Sequence, residues 1–179
     1  GGWYDTAKFA DQRFAMNGLP LADPASGEDP RMHRGDYSLY AVADQTVWRA
    51  RDGSRRRLNA FGRIMGAPAD QNAVDFFFNG GLTLKAPLPG RPHDHAGIDF
   101  GIGRVSARLA DFDRDSGLPV QTTEELVELT YQAQVMRWLT VQPDLQYVIN
   151  PGAGVLDPAD PTHRLRNELV VGARATVAF

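Results

Sequence analysis

Apolar and polar side chains alternate one for one along much of this chain, most cleanly in the closing stretch from Asn167 to Phe179. Leu169, Val171, Ala173, Ala175, Val177 and Phe179 share one parity, and Glu168, Val170, Gly172, Arg174, Thr176 and Ala178 share the other. A strand sends successive side chains to opposite faces, so the pattern predicts an apolar wall backed by a mostly polar one. The same alternation sets Val127, Leu129, Tyr131, Ala133 and Val135 against Glu128, Thr130, Gln132 and Gln134. It recurs where Leu139, Val141, Pro143, Leu145, Tyr147 and Ile149 oppose Thr140, Gln142, Asp144, Gln146, Val148 and Asn150. Upstream, Val74, Phe76, Phe78, Leu82 and Leu84 oppose Asp75, Asn79, Thr83 and Lys85, with Phe77 the exception. Ile98, Phe100 and Ile102 oppose Asp99, after which the parity slips: Val105, Ala107 and Leu109 oppose Arg104, Ser106 and Arg108. Gly101 and Gly103 offer a place for a bulge that would cause the slip.

Read this way, the chain holds about eight antiparallel strands, near 1–7, 37–49, 57–66, 73–86, 95–110, 124–137, 138–150 and 165–179. Helix signals are poor throughout. Thr122 and Glu125 have the spacing of a capping box, but the alternation that follows predicts a strand there instead.

A soluble sandwich also alternates, so the nature of the polar parity matters. It holds Gln, Asn, Arg, Asp and Gly, and the whole chain has only two lysines, Lys8 and Lys85. A surface facing bulk water would be richer in Lys and Glu, whereas a hydrated lumen suits fixed amides, carboxylates and guanidiniums. Links of unequal length support the same reading. Counted back from the carboxyl end, 151–164, 111–123, 67–72 and 8–36 are mostly the longer ones, and 137–138, 87–94 and 50–56 the shorter. Outer-membrane barrels alternate short turns at one end with long loops at the other. Trp3, Tyr4, Trp48, Trp138, Tyr147 and Phe179 fall near predicted strand ends, where aromatic girdles sit.

Composition narrows the chemistry. A net charge of -3 and a hydrophobic content of 42% describe neither a disordered chain nor a nucleic-acid binder. There is no cysteine, hence no disulfide, thiolate ligand or thiol nucleophile. No apolar run is long enough for a helical span. Asp111, Asp113 and Asp115 open like a calcium loop, but the glycine falls one place late and Thr122 stands where a bidentate Glu belongs. His93-Asp94-His95 lacks a third ligand, and no nucleophile elbow or phosphate loop occurs. The reading is therefore no enzyme, no metal and no cofactor. Side chains placed in the lumen by parity are Arg63, Asp75, Asn79, Asp99, Arg104, Arg108, Glu128, Gln132, Gln134, Gln142, Asp144, Gln146, Arg166, Glu168 and Arg174. Such a mixture of donors and acceptors can replace the hydration of a neutral sugar.

The stretch ELTYQAQVMRWLTVQPDLQYVINPGAG, followed after a loop by RLRNELVVGARATVAF, resembles the carboxyl-terminal part of the OprB-type carbohydrate-selective porins. The features that carry the match are Tyr131, Trp138-Leu139, Gln142-Pro143-Asp144 with Gln146-Tyr147, Asn150-Pro151-Gly152, and a final strand with Gly172-x-Arg174 ending in Phe179. Upstream, YAVADQTVWR and FGRIMGAPADQNAVDFFFNGGLTLKAPLPGR look like the same family at lower specificity. The resemblance implies an antiparallel transmembrane β-barrel of sixteen strands in a bacterial outer membrane, of which residues 1–179 form a single segment, the carboxyl-terminal half. It implies passive diffusion of mono- or oligosaccharides past arginines, carboxylates and aromatics, with outer-membrane lipid around the barrel. A homo-oligomer, or an amino-terminal half completing the wall, would be the protein partner. The alternative reading is a soluble all-β carbohydrate-binding module without transport.

Overall fold

Eight long strands follow one another as a single antiparallel meander in the computed structural model, which describes residues 1–27 and 29–178. They are β1 (Gly2–Ala15), β2 (Pro30–Arg49), β3 (Arg57–Gly66), β4 (Val74–Lys85), β5 (His95–Val105), β6 (Thr123–Met136), β7 (Leu139–Ile149) and β10 (Glu168–Val177). A helix, α1 (Ala107–Asp115), follows β5, and a small hairpin, β8 (Leu156–Asp157) with β9 (Asp160–Arg164), precedes β10. The sheet order is β1-β2-β3-β4-β5-β6-β7-β10, so β1 and β10 are its two open edges.

Register places one row of apolar residues straight across the sheet: Ala60, Leu82, Ile98, Leu129, Leu145 and Val171 stand opposite one another in turn. None of the described residues covers them; Ile98 and Leu129 are about half exposed and Val171 is 75% exposed. Among the described residues the buried apolar side chains are small, the alanines Ala15, Ala86, Ala110 and Ala153 with Pro151. A soluble domain buries its apolar face against a second layer. A continuous apolar face this large, left open, is a surface for lipid. No helix is long and apolar enough to cross a membrane.

The connections differ at the two ends. Segments 50–56, 86–94 and 137–138 join strands at one end; 16–29, 67–73, 106–122 and 150–167 join them at the other and carry α1 and the β8–β9 hairpin. This is the phase expected from the sequence. Phe179, the terminal aromatic, lies outside the described residues.

Four sequence expectations need correction, the first being the start of β2, which lies at Pro30 and not at 37. β1 runs on to Ala15, well past residue 7, because its register with β2 shifts between Asp5 and Lys8 and so breaks the simple alternation. β5 stops at Val105, not 110. Gly101 and Gly103 host no bulge, since β5 keeps one register with β6 from His95 to Arg104. The slip in parity is a change of element: Ser106 caps α1 by accepting the Leu109 N–H at 3.2 Å. The stretch holding Thr122 and Glu125 is β6, as its alternation predicts.

Pro143 interrupts the middle of β7 and has no N–H to give. The β6–β7 ladder accordingly omits Tyr131 and Gln132, while Thr130 Oγ1 donates to the Pro143 carbonyl at 3.2 Å and Gln142 Nε2 donates to Thr130 Oγ1 at 2.9 Å. At Gly81 in β4 the constraint is space. A Cβ there would press on the Ile98 carbonyl and lie 3.0 Å from the Asp99 Cα, both backbone atoms. Gly81→Val is expected to force β4 from β5 and cost about 2 kcal/mol. The temperature at which the folded form loses its fast electrophoretic migration in detergent measures this, and an unchanged temperature refutes it.

Candidate functional site

The face opposite the apolar row carries a continuous polar belt. Arg63 Nη1 donates to Asn79 Oδ1 at 3.1 Å, and Asn79 Nδ2 to Asp99 Oδ2 at 2.6 Å. Asp99 stands opposite Glu128, and Glu128 opposite Gln146. Gln146 Nε2 lies 3.3 Å from both Glu128 Oε2 and Asp144 Oδ2. Gln142 and Arg174 face each other on the last pair of strands. Gly172 opposes Asp144, and a Cβ there would sit 2.6 Å from its carboxylate, so the glycine keeps that acceptor free to turn. The belt mixes donors and acceptors across six strands, with the Asp99 and Glu128 carboxylates side by side. Asp99 Oδ1 is buried without a partner among the described residues.

Phe77, the exception to the sequence pattern, belongs to this polar face, opposite Gly103 on one side and Met65 on the other. With Leu109 of α1, Leu126 and the open backbone at Gly101 and Gly103 it walls a recess of about 490 Å³, rimmed by Asn79, Gln121 and Glu124. Glu124 also accepts the Gly152 N–H at 2.6 Å, which draws the 150–167 connection over the same face.

The recess shows that α1 lies against the polar face. A fork from β1 holds it there. Arg13 Nη1 donates to Asp111 at 2.7 Å, and Arg13 Nε and Nη2 grip Asp115 at 2.7 and 3.2 Å. β1 and β5 are four strands apart, about 19 Å along a sheet. This contact therefore runs across the face, with the sheet curved around it. Asp11 turns the chain inward by accepting the N–H groups of Arg13 and Phe14, both at 2.9 Å, and Gln12 N–H donates to the Asp70 carbonyl at 2.8 Å. The guanidinium groups of Arg108, Arg13 and Arg31 lie 4.7, 5.2 and 5.9 Å from the Phe14 ring centre.

The structure brings Arg63, Asn79, Asp99, Glu128, Gln142, Asp144, Gln146 and Arg174 into one belt. Gln132 shares the face nearer the tight turns, opposite His95, and Glu168 shares it near the long connections, opposite Val148. Four expected lumen residues stand elsewhere. Arg104 takes the face of Ile102 and Phe100, because β5 does not slip; it stacks 5.5 Å from the Phe76 ring and donates to Asp75 at 2.8 Å. Asp75 is the extra residue where the β4–β5 register shifts, so the pair sits at a bulge outside the belt. Arg108 is on α1, and Arg166 lies in the link ahead of β10 rather than on the strand. Asp111 and Asp115 serve as anchors for Arg13 on a helix, not as a loop. The sequence reading missed Asp11, Arg13 and Phe14, which fell inside what had the look of one long connection.

Over its whole length, residues 1–179, the chain matches the family described as carbohydrate-selective porin, OprB family. It is similar to Porin B of Pseudomonas aeruginosa, 29% identical over 194 residues, covering all of this chain and 40% of that protein. It is also similar to the solved high-pH structure of Pseudomonas putida OprB, with a TM-score of 0.87 and 28% identity, covering 99% of this chain and 43% of that one. The chain thus spans about two-fifths of the length of these relatives.

Proposed function

The chain belongs to the OprB carbohydrate-selective porin family, and from that membership we propose that it forms part of the wall of an outer-membrane pore for passive diffusion of mono- or oligosaccharides. The family is one of channels rather than enzymes, and the pore acts without catalysis or cofactor. Residues 1–179 are one barrel segment, the carboxyl-terminal part. The apolar row faces outer-membrane lipid, the tight turns face the periplasm, and further strands of the same protein pair with the β1 and β10 edges.

The observation that carries this reading is the belt from Arg63 to Arg174, with its mixture of donors and acceptors. A sugar hydroxyl both gives and takes hydrogen bonds, so such a belt lets a sugar exchange water for protein step by step. Conduction needs each contact to be weak enough to release, and the belt is part exposed along its length. Phe77 adds an apolar surface for a sugar ring beside it. For the whole protein in planar bilayers, block of ion current by glucose gives an apparent affinity. Asp99→Ala is expected to weaken it about fivefold, the loss of roughly one hydrogen bond of 1 kcal/mol. A wild-type pore whose current ignores sugars, and which passes salts in preference to hexoses of similar size in vesicle swelling, would sink the proposal.

A further inference from the structure

At the tight-turn end of the polar face three cations stand in a direct row. Arg49 is the cross-strand partner of Arg57, and Arg57 that of Lys85; Lys85 in turn opposes His95. Thr46 and Asn59, bonded at 2.8 Å, form the next pair along the same face. Like charges directly opposed on a sheet face, with Cβ atoms about 5 Å apart, repel and destabilise the pairing. Arg55, Arg56 and Ser54 of the 50–56 turn enter the same recess, of about 360 Å³, and no carboxylate lines it.

Elsewhere the chain matches its arginines with acids: Arg13 with Asp111 and Asp115, Arg91 with Asp94, Arg104 with Asp75, Arg114 with Asp111. Among the described residues Arg49, Arg55, Arg56, Arg57 and Lys85 form no ion pair. Asp52, in the same turn, is occupied with the Ser54 N–H at 2.9 Å, and Asp44 lines a neighbouring recess with Arg57 without bonding it. His95 Nδ1 is buried with no partner among the described residues. A hydroxyl, an imidazole and five cations thus gather here with no ion pair among the described residues, Arg56 lying 5.9 Å from the Trp48 ring centre.

We propose that this row is an oxyanion site at the inner mouth of the pore, taking the phosphate or carboxylate group of an acidic sugar. Guanidinium forks match the geometry of both groups. The site opens on the polar face and not on the apolar one, which favours a soluble anion over a lipid headgroup. It rests on the pore reading above and adds a second substrate chemistry to it. The cost of the opposed charges is offset whenever an anion lies between them.

The test uses the whole protein in planar bilayers of phosphatidylcholine, with inorganic phosphate and glucose 6-phosphate as probes of chloride current. Both are expected to block from the tight-turn side. Arg57→Gln with Lys85→Gln is expected to raise the half-blocking concentration roughly tenfold or more while glucose block stays unchanged. Arg57→Lys with Lys85→Arg keeps both charges and is expected to keep the block, which separates charge from folding. An unchanged half-blocking concentration in the neutral pair overturns the proposal, as does block seen only in bilayers containing phosphatidylglycerol, which would make the site a headgroup site. Phosphate block without any glucose effect would overturn the sugar reading and leave the anion site standing.

Discussion

Asp94→Ala lowers the stability of the barrel wall by about 3 kcal/mol, because it removes a buried acceptor that three donors share. Asp94 is only 1% exposed, in the 86–94 turn. It takes hydrogen bonds from Arg91 Nε at 2.6 Å, Tyr131 Oη at 2.7 Å and the Gln134 N–H at 3.0 Å. Its own carbonyl accepts the Ala86 N–H at 2.8 Å, closing the turn. The β5–β6 ladder ends at His95 opposite Gln132, so the Asp94 carboxylate supplies the next partner that β6 would otherwise lack. Without it a backbone donor and a phenol are left unsatisfied beside an unpaired guanidinium. Asp94→Asn keeps an acceptor and is expected to lose less. Heat-modifiable migration of the whole protein gives the ranking, and an alanine variant that converts at the wild-type temperature refutes it. Burial pushes the Asp94 carboxyl up, but the bonds from Tyr131 and Arg91 and from the Gln134 backbone outweigh it and hold it below its ordinary value of 3.8. Its contribution is therefore fully present above that ordinary value and is lost as pH falls through the lowered one.

The second large effect concerns the passage itself. Arg13→Ala releases α1 from β1, since both anchors, Asp111 and Asp115, depend on that one guanidinium. Arg13 is a quarter exposed, so the two charge-assisted contacts are discounted to about 1.5 kcal/mol together, roughly a tenfold fall in the docked fraction of the helix. Single-channel recordings are expected to show larger and noisier conductance with weaker size discrimination among sugars. Arg13→Lys keeps the charge but cannot grip Asp115 with a fork, so it is expected to fall between the two. Conductance identical to wild type in the alanine variant means that α1 does not narrow the lumen.

Alternation was enough to read β6, β7 and β10 and the face of each belt residue on them, because the register shift in this region, between Gln134 and Met136, lies beyond the belt. Where local geometry changed, parity misled. Arg104 and Arg108 looked like neighbours on one strand face, yet a cap at Ser106 puts the first on the outer face and the second on a helix. The signal was present, as a serine ahead of Leu109 and Ala110, but alternation made residues up to 110 look like strand and the acidic residues after them like a loop. Arg13 was illegible for another reason. Its partners lie 98 and 102 residues away, and no local pattern announces a contact that exists only once the sheet has curved. Phe77 and Gly172 ran against the apolar–polar pattern, and both are explained by what stands opposite them.

The meander has a kinetic side. Every strand pairs with the strand next to it in the chain, apart from the small hairpin set between β7 and β10, so each ladder closes over a short stretch at little entropic expense. The Arg13 fork is the opposite kind of contact, and its closure has to await strands β2 to β5 and the helix. The wall is thus expected to assemble first and its inner furniture afterwards. A nascent pore would be at its widest before it is finished, and would narrow as its last long-range contact forms.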